Sequence, residues 1–206
     1  ALGIVIHLVF AVGDMLADVI QQVFAEVQLS LDLVEKGLVT AQIVITVGYD
    51  KENLSDPIRA MKYDGPITTD HFGRSVPKHA HGSINLPRYT SSSRLIVDAA
   101  LELFDSTVNP HLLARRLNIT ACDVKREQES TQDTPQEEQL ELFADYDKDE
   151  RANAVKEQEL SQEHRRQEAI LAARRRFGKN AVLKGTNLQE GATQTQRNKQ
   201  IGGHQA

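Results

Sequence analysis

Two kinds of chemistry stand out among the side chains of this chain. The first is anion holding. Arg115 and Arg116 are adjacent, Lys78 precedes and Ser83 lies within a short alternating run, and Arg88 follows it. Thr90, Ser91, Ser92, Ser93 and Arg94 then form an unbroken polar stretch before an amphipathic one. Guanidinium and ammonium groups, hydroxyls and the open amides of a helix N-terminus hold phosphate without reading the base attached to it. The same residues also have plainer uses. Adjacent arginines pair with surface carboxylates, and serines ahead of a helix cap its first turn. On residue type alone the two uses stand level.

The second is an apolar tether. Leu140, Leu142 and Phe143, led by Gln139, interrupt a stretch that is otherwise acidic, from Glu127 and Glu129 through Asp133, Glu137, Glu138 and Glu141 to Asp145. Large apolar side chains with no local core to join have two destinations: a groove on a partner, or a short turn folded back on the chain's own domain. Other candidates carry less. Asp98, Glu102 and Asp105 share a predicted helix, but with no glycine-rich phosphate loop nearby they form a solvated face. His79 and His81 have no evident third ligand, so no metal is expected. Cys122 is the single cysteine, which excludes an internal disulfide and a cysteine-based zinc site and fits a buried structural thiol.

Composition sets the frame for these groups. The 206 residues are 40% hydrophobic and 26% charged, enough for one ordinary domain with an extension. Aromatics make up 5% and Trp is absent, so the core must rest on Leu, Ile, Val and Ala. The net charge of −5 speaks mildly against nucleic acid, but its distribution matters more than its sum. Acid is concentrated before residue 146, whereas Arg165, Arg166, Arg174, Arg175, Arg176, Lys179 and Lys184 follow it. The apolar opening at residues 2–12 lacks a basic flank and a cleavage site, and it is far shorter than the ~20 residues that cross a bilayer. It reads as a buried strand, and the chain as cytoplasmic with no membrane role. The first residue is not Met, which fits processing or a fragment.

The elements that must position these groups follow from periodicity. Residues 2–10 are rich in β-branched side chains. Asp14 can cap a helix from Met15, with Leu16, Val19, Ile20, Val23, Phe24, Val27 and Leu31 at helical spacing and Gly37 as its stop. The run QIVITVGY at residues 42–49 alternates, placing Ile43, Ile45 and Val47 on one face and Val44, Thr46 and Gly48 on the other. After a polar excursion come a strand at 81–86 and a helix to about Val108 with inner face Leu95, Ile96, Ala99, Leu103 and Phe104. A last strand at 114–122 alternates Leu117, Ile119 and Ala121 with Arg116, Asn118 and Thr120. The order β-α-β-β-α-β predicts an α+β domain at 1–123: a four-stranded sheet with both helices on one face and the other face open. A flexible linker at 124–145 and a long charged helix with a polar tail at 146–206 complete the expectation.

The stretches LDLVEKGLVTAQIVITVGYD (31–50), VPKHAHGSINLPRYTSSSRLIVDAALELFD (76–105) and HLLARRLNIT (111–120) resemble the little-finger domain of bacterial Y-family, lesion-bypass DNA polymerases of the UV-damage-repair type. The closing RRRFGKNAVLKGTNLQEGATQTQRNKQIGGHQA (174–206) is similar to the tail of the same subgroup, while the first thirty residues are not similar to its usual lead-in. The resemblance implies a sheet laid along primer-template DNA, with Lys78, Ser83, Arg88, Thr90, Ser92, Arg115 and Arg116 as backbone contacts. Gln139-Leu140-Glu141-Leu142-Phe143 resembles the bacterial sliding-clamp-binding pentapeptide, with Gln139, Leu140, Leu142 and Phe143 as the clamp contacts. The family's catalytic palm, which holds magnesium, is not matched. The expectation is a non-catalytic piece of a polymerase that needs no cofactor of its own and has DNA and the clamp as partners. The alternative is a clamp-binding adaptor without DNA affinity.

Overall fold

In the computed structural model the chain is described over residues 4–9, 28–130, 146–183, 200–201 and 204–205. It divides into two compact units, Ala1–Ala144 and Asp145–Ala206. The first is α+β, built on an antiparallel sheet. Its body is three long strands, β2 (Leu38–Tyr49), β5 (Ala80–Thr90) and β6 (Ala114–Arg126), with β2 between the other two. A further strand, β1 (Ile4–Val9), runs antiparallel to β6 from Ile4↔Ala121 to Val9↔Arg116. The helical residues 28–35 (α1) and the helix α4 (Ser93–Thr107) complete the layer.

Alternation explains which way the sheet faces. In β2, Ile43, Ile45, Val47 and Tyr49 are buried, and so are Leu117, Ile119 and Ala121 of β6. These meet Ile96, Ala100 and Leu103 of α4 and Leu29 and Leu33 of α1 in one cluster. The helical residues recur at intervals of three and four, the spacing that aligns side chains along one stripe. The two helices are stitched together at their ends, where the Ser30 hydroxyl donates to the Ser91 carbonyl at 2.7 Å and lies 2.8 Å from the Ser93 hydroxyl. Gly37, at φ +61, ends α1 in the left-handed conformation expected of a helix stop. The helix expected from Met15 is described only from residue 28, since residues 10–27 lie outside the described part.

α4 begins where the serine run predicts. Ser92 is its N-cap, and its hydroxyl accepts the Leu95 N–H at 3.3 Å. α4 lies so close to β5 that a Cβ on Gly82 would sit 2.9 Å from both Leu103 Cδ1 and Thr107 Oγ1. Glycine there permits the contact.

The strands run further than hydrophobic patterning suggests. β2 starts four residues before Gln42, and β6 continues past Cys122, where a linker was expected from residue 124, because Val39 and Thr40 pair with Lys125 and Val124. The short α5 (Glu127–Ser130) follows directly. β5 runs on to Thr90 by way of a bulge: the register shifts from Gln42↔Asn85 to Thr40↔Thr90, and Pro87, which has no N–H to offer a ladder, falls within the extra residues.

The polar excursion is also structured. It contains two single-turn helices, α2 (Glu52–Ser55) and α3 (Pro57–Ala60), and a small hairpin of β3 (Ile67–Thr69) and β4 (Ser75–Pro77). A buried polar knot ties its start to the entry of β6. Asn53, fully buried, donates to the carbonyls of Asp50 and Leu113, both at 2.9 Å, and accepts the Leu113 N–H at 2.7 Å. The Asp50 N–H donates to the Leu113 carbonyl, and the Tyr49 hydroxyl accepts the Asn109 N–H at 3.0 Å. Burial pushes the Tyr49 phenol above its ordinary value.

The second unit contains the 32-residue helix α6 (Tyr146–Phe177), ended by Gly178 at φ +90, and the short strands β7 (Gln200–Ile201) and β8 (His204–Gln205). Val155 and Phe177 are exposed along α6, whereas Gln167 and Leu171 are buried, and His164 and Glu168 lie one turn apart.

Two substitutions test this architecture by urea denaturation. Gly82→Val should lower stability by about 2 kcal/mol, because its side chain must push aside the Leu103 and Thr107 side chains of α4. Asn53→Leu should cost about 3 kcal/mol by leaving the Leu113 N–H without a partner and by removing one of the two hydrogen bonds that each of the Asp50 and Leu113 carbonyls accepts. Unchanged midpoints would show that the close contact and the knot contribute nothing.

Candidate nucleic-acid interface

The face of the sheet opposite the core is built from the alternate residues. Register sets them in rows across the strands: Arg116 beside Gly48; Asn118, Thr46 and His81; Thr120, Val44 and Ser83; Cys122, Gln42 and Asn85. Successive rows stand about 7 Å apart, twice the strand rise. His81, Ser83, Asn85 and Arg116 are exposed and the others half-buried. Within β2, β5 and β6, Val44 is the one large aliphatic residue in these rows; across β6, β1 adds Val9 opposite Arg116, His7 opposite Asn118 and Val5 opposite Thr120. The result is a surface of hydroxyls, amides, an imidazole and a guanidinium.

These groups hold one another in place. Arg116 Nε donates to Asn118 Oδ1 at 3.1 Å, and the Gln42 amide donates to Asn85 Oδ1 at 3.0 Å. Thr46 Oγ1 lies 2.9 Å from His81 Nδ1. That contact engages one ring nitrogen of His81 and leaves Nε2 on an exposed residue. Such a surface suits a ligand with many acceptor oxygens, since it offers donors from rigid strands rather than from a pocket.

The sequence-predicted residues distribute unevenly over this surface. Ser83 and Arg116 lie directly on it. Lys78 is exposed just before β5, its N–H donating to the Pro66 carbonyl at 2.8 Å, and Arg88 is exposed in the bulge near the other end of the strand. Arg115 parts from Arg116. The register passes from Gly48↔Arg116 to Tyr49↔Ala114, so Arg115 is the extra residue of a second bulge, and its Nε lies 3.9 Å from Oδ2 of the buried Asp50. Thr90 and Ser92 do not join the face. Both are more than nine-tenths buried; the Thr90 hydroxyl accepts the Ser92 N–H at 3.0 Å, and the Ser92 hydroxyl caps α4. Turn and cap absorb the hydroxyls read as phosphate contacts. Gln139, Leu140, Leu142 and Phe143 lie outside the described residues. Asp98, Glu102 and Asp105 are exposed on α4.

The structure adds residues that were not expected as backbone contacts. Asn118, Thr46, His81 and Asn85 join the face purely by strand parity, a signal already present once Ile43, Ile45 and Val47 point inward. Past the β5 bulge, the Tyr89 hydroxyl donates to Asp123 Oδ2 at 2.7 Å while Lys125 Nζ lies 4.3 Å above its ring. The hydrogen bond to Asp123 holds the Tyr89 phenol above its ordinary value, with Lys125 opposing. Asp123 is the one non-glycine residue with positive φ among the described residues, at +47. Nothing in its sequence neighbourhood announces this.

The β3–β4 hairpin turns on a single carboxylate. Asp70 Oδ1 accepts the N–H groups of Phe72 and Arg74 at 2.8 and 3.0 Å, and Oδ2 accepts Arg74 Nε and Nη2 at 2.8 and 2.6 Å. These Arg74 hydrogen bonds hold the Asp70 carboxyl down to about 2. Because the folded value lies below the ordinary one, the stabilising contribution is complete above the ordinary carboxylate range and is lost as pH falls through about 2. NMR titration should therefore place the Asp70 midpoint near 2, and Arg74→Ala should raise it toward the ordinary range, with the Phe72 and residue-74 N–H groups still holding it down in part. A normal midpoint in the unaltered protein would refute the bidentate pair.

Among the described residues no helix is long and apolar enough to cross a membrane. The family model for the impB/mucB/samB family C-terminal domain matches residues 13–136, which span α1 through α5. No curated protein matches the chain.

Proposed function

From the premise that this chain belongs to the impB/mucB/samB family through its C-terminal domain, the non-catalytic little-finger domain of Y-family DNA polymerases, we propose that it grips primer-template DNA and tethers it to the sliding clamp during lesion bypass. The observation that carries the reading is the polar sheet face with Arg116, Asn118, Thr46, His81 and Ser83 on it. A lesion-bypass enzyme must hold damaged and undamaged duplex alike, and backbone contacts do so because every sequence presents the same phosphates. Lys78 and Arg88, at opposite ends of β5, extend the grip along the strand direction. Arg115 contributes less, through its pairing with Asp50, and Thr90 and Ser92 act by shaping the turn that carries Arg88.

In this reading β1 is the fourth strand of a little-finger sheet, with α1 and α4 together on its core side. Residues 131–145 carry the clamp peptide. Leu142 and Phe143 enter an apolar groove on the clamp, Leu140 a side recess, and the Gln139 amide meets polar groups at the rim. A weak motif on a tether acts by raising local concentration at the primer end, so it needs no rigid docking to be effective. The charged helix α6 forms a separate C-terminal extension. Polymerisation and its magnesium ions belong to a palm domain, and no catalytic step is assigned to these residues.

Two measurements test the proposal. Arg116→Glu should weaken binding to duplexes of any sequence and flatten the dependence of log affinity on log salt by about one unit. An unchanged slope would remove Arg116 from the interface, and no affinity in the unaltered protein would leave the adaptor role. Leu142→Ala with Phe143→Ala should abolish binding to the bacterial clamp while the melting temperature stays constant. Retained clamp binding would discard the pentapeptide.

A further inference from the structure

The excursion between β2 and β5 collects exposed apolar side chains: Ile58, Met61, Ile67 and Phe72. Phe72 is the aromatic one, and its ring lies between polar neighbours. It sits at the tip of the β3–β4 hairpin, is 73% exposed, and has its own N–H fixed by Asp70. Arg74 places its guanidinium carbon 4.8 Å from the ring centroid, and the His71 ring meets it edge-on at 5.4 Å. Gly73, at φ +75, closes the turn between them. At its base the hairpin is anchored by the buried Val76 and Pro77 and by the Lys78–Pro66 hydrogen bond. An aromatic ring raised on an anchored hairpin, backed by a cation on one face and solvated elsewhere, is a stacking platform rather than a piece of core.

Charge identifies the occupant. Asp70 and Arg74 neutralise each other, so the tip itself does not select for charge, whereas the cation Lys78 stands where the hairpin joins β5. Lys78 leads into Ala80, which pairs with Val47, one residue from the Gly48↔Arg116 row. The hairpin therefore springs from the end of the sheet that carries Arg116. A base with a flat π-face and a phosphate on each side matches a neutral aromatic tip above a cationic base.

We infer that Phe72 is a stacking platform for an unpaired base, so that the hairpin engages single-stranded DNA where it leaves the duplex held by the sheet. This rests on the DNA-binding reading above and adds to it a preference for unpaired nucleotides. The partner is single-stranded nucleic acid, and sequence is not read.

The absence of Trp makes a clean test. Phe72→Trp in the full chain introduces the only indole, which should be quenched by oligothymidylate of about ten nucleotides and not by inorganic polyphosphate, which supplies charge without bases. Phe72→Ala should lower affinity for that oligonucleotide roughly 5- to 150-fold, the cost of one lost stack, while affinity for a blunt duplex stays constant. Because Phe72 is exposed, both variants should keep the melting temperature of the unaltered protein. Undiminished oligonucleotide affinity in Phe72→Ala, or equal quenching by polyphosphate, overturns the inference. If the duplex is still bound with a normal salt slope, only the stacking role falls. If the unaltered protein binds neither DNA form, the DNA-binding reading falls with it.

Discussion

The burial of one face of three antiparallel strands is the constraint from which the rest of the structure follows. Ile43, Ile45 and Val47 on β2 and Leu117 and Ile119 on β6 lie opposite one another in register, beneath the helices that cover them. Each such side chain contributes about 1.5–3 kcal/mol when removed from water. Side chains alternate, so sliding β6 by one residue would bring Arg116, Asn118 and Thr120 into the core and turn its aliphatic row to solvent. The same energy that holds the core in register therefore positions the polar face. The donors offered to a ligand need no separate device to align them.

Departures from that regular ladder aim individual side chains. The bulge at Tyr49 separates Arg115 from Arg116, giving one to Asp50 and the other to the open face. The bulge around Pro87 sends Arg88 outward and brings Tyr89 to Asp123. The Asn53 knot then fixes the loop that feeds β6, so the position of Arg116 depends on a buried amide more than fifty residues away in sequence. On the proposed DNA-gripping role, a charge that meets a rigid phosphate chain gains from such support, because less conformational freedom is lost on contact.

Much of this was legible in the sequence. QIVITVGY announced its inner and outer faces, the serine run announced the start of α4, and Gly37 announced the stop of α1. What could not be read arose from contacts between distant residues. Val39 and Thr40 draw Val124 and Lys125 into a strand where composition suggested a linker, and Ala100, too small to signal burial, lies in the core. Arg115 and Arg116 look equivalent until a bulge divides them. Thr90 and Ser92 carry the right groups for phosphate, yet their burial is a property of the turn and not of their type. The polar excursion gave no periodic signal because its order comes from Asp70, Asp56 and Asn53 hydrogen bonds to backbone, which leave no hydrophobic trace.

β5 also forms the outer margin of its sheet, and an eleven-residue margin is an invitation for another chain to dock strand to strand. The bulge at Pro87 interrupts that invitation. It removes one donor and breaks the straight run of peptide groups, so that an incoming strand finds at most the segment up to Leu86 to copy. The irregularity that points Arg88 and Tyr89 outward thus also guards against fibrous self-association.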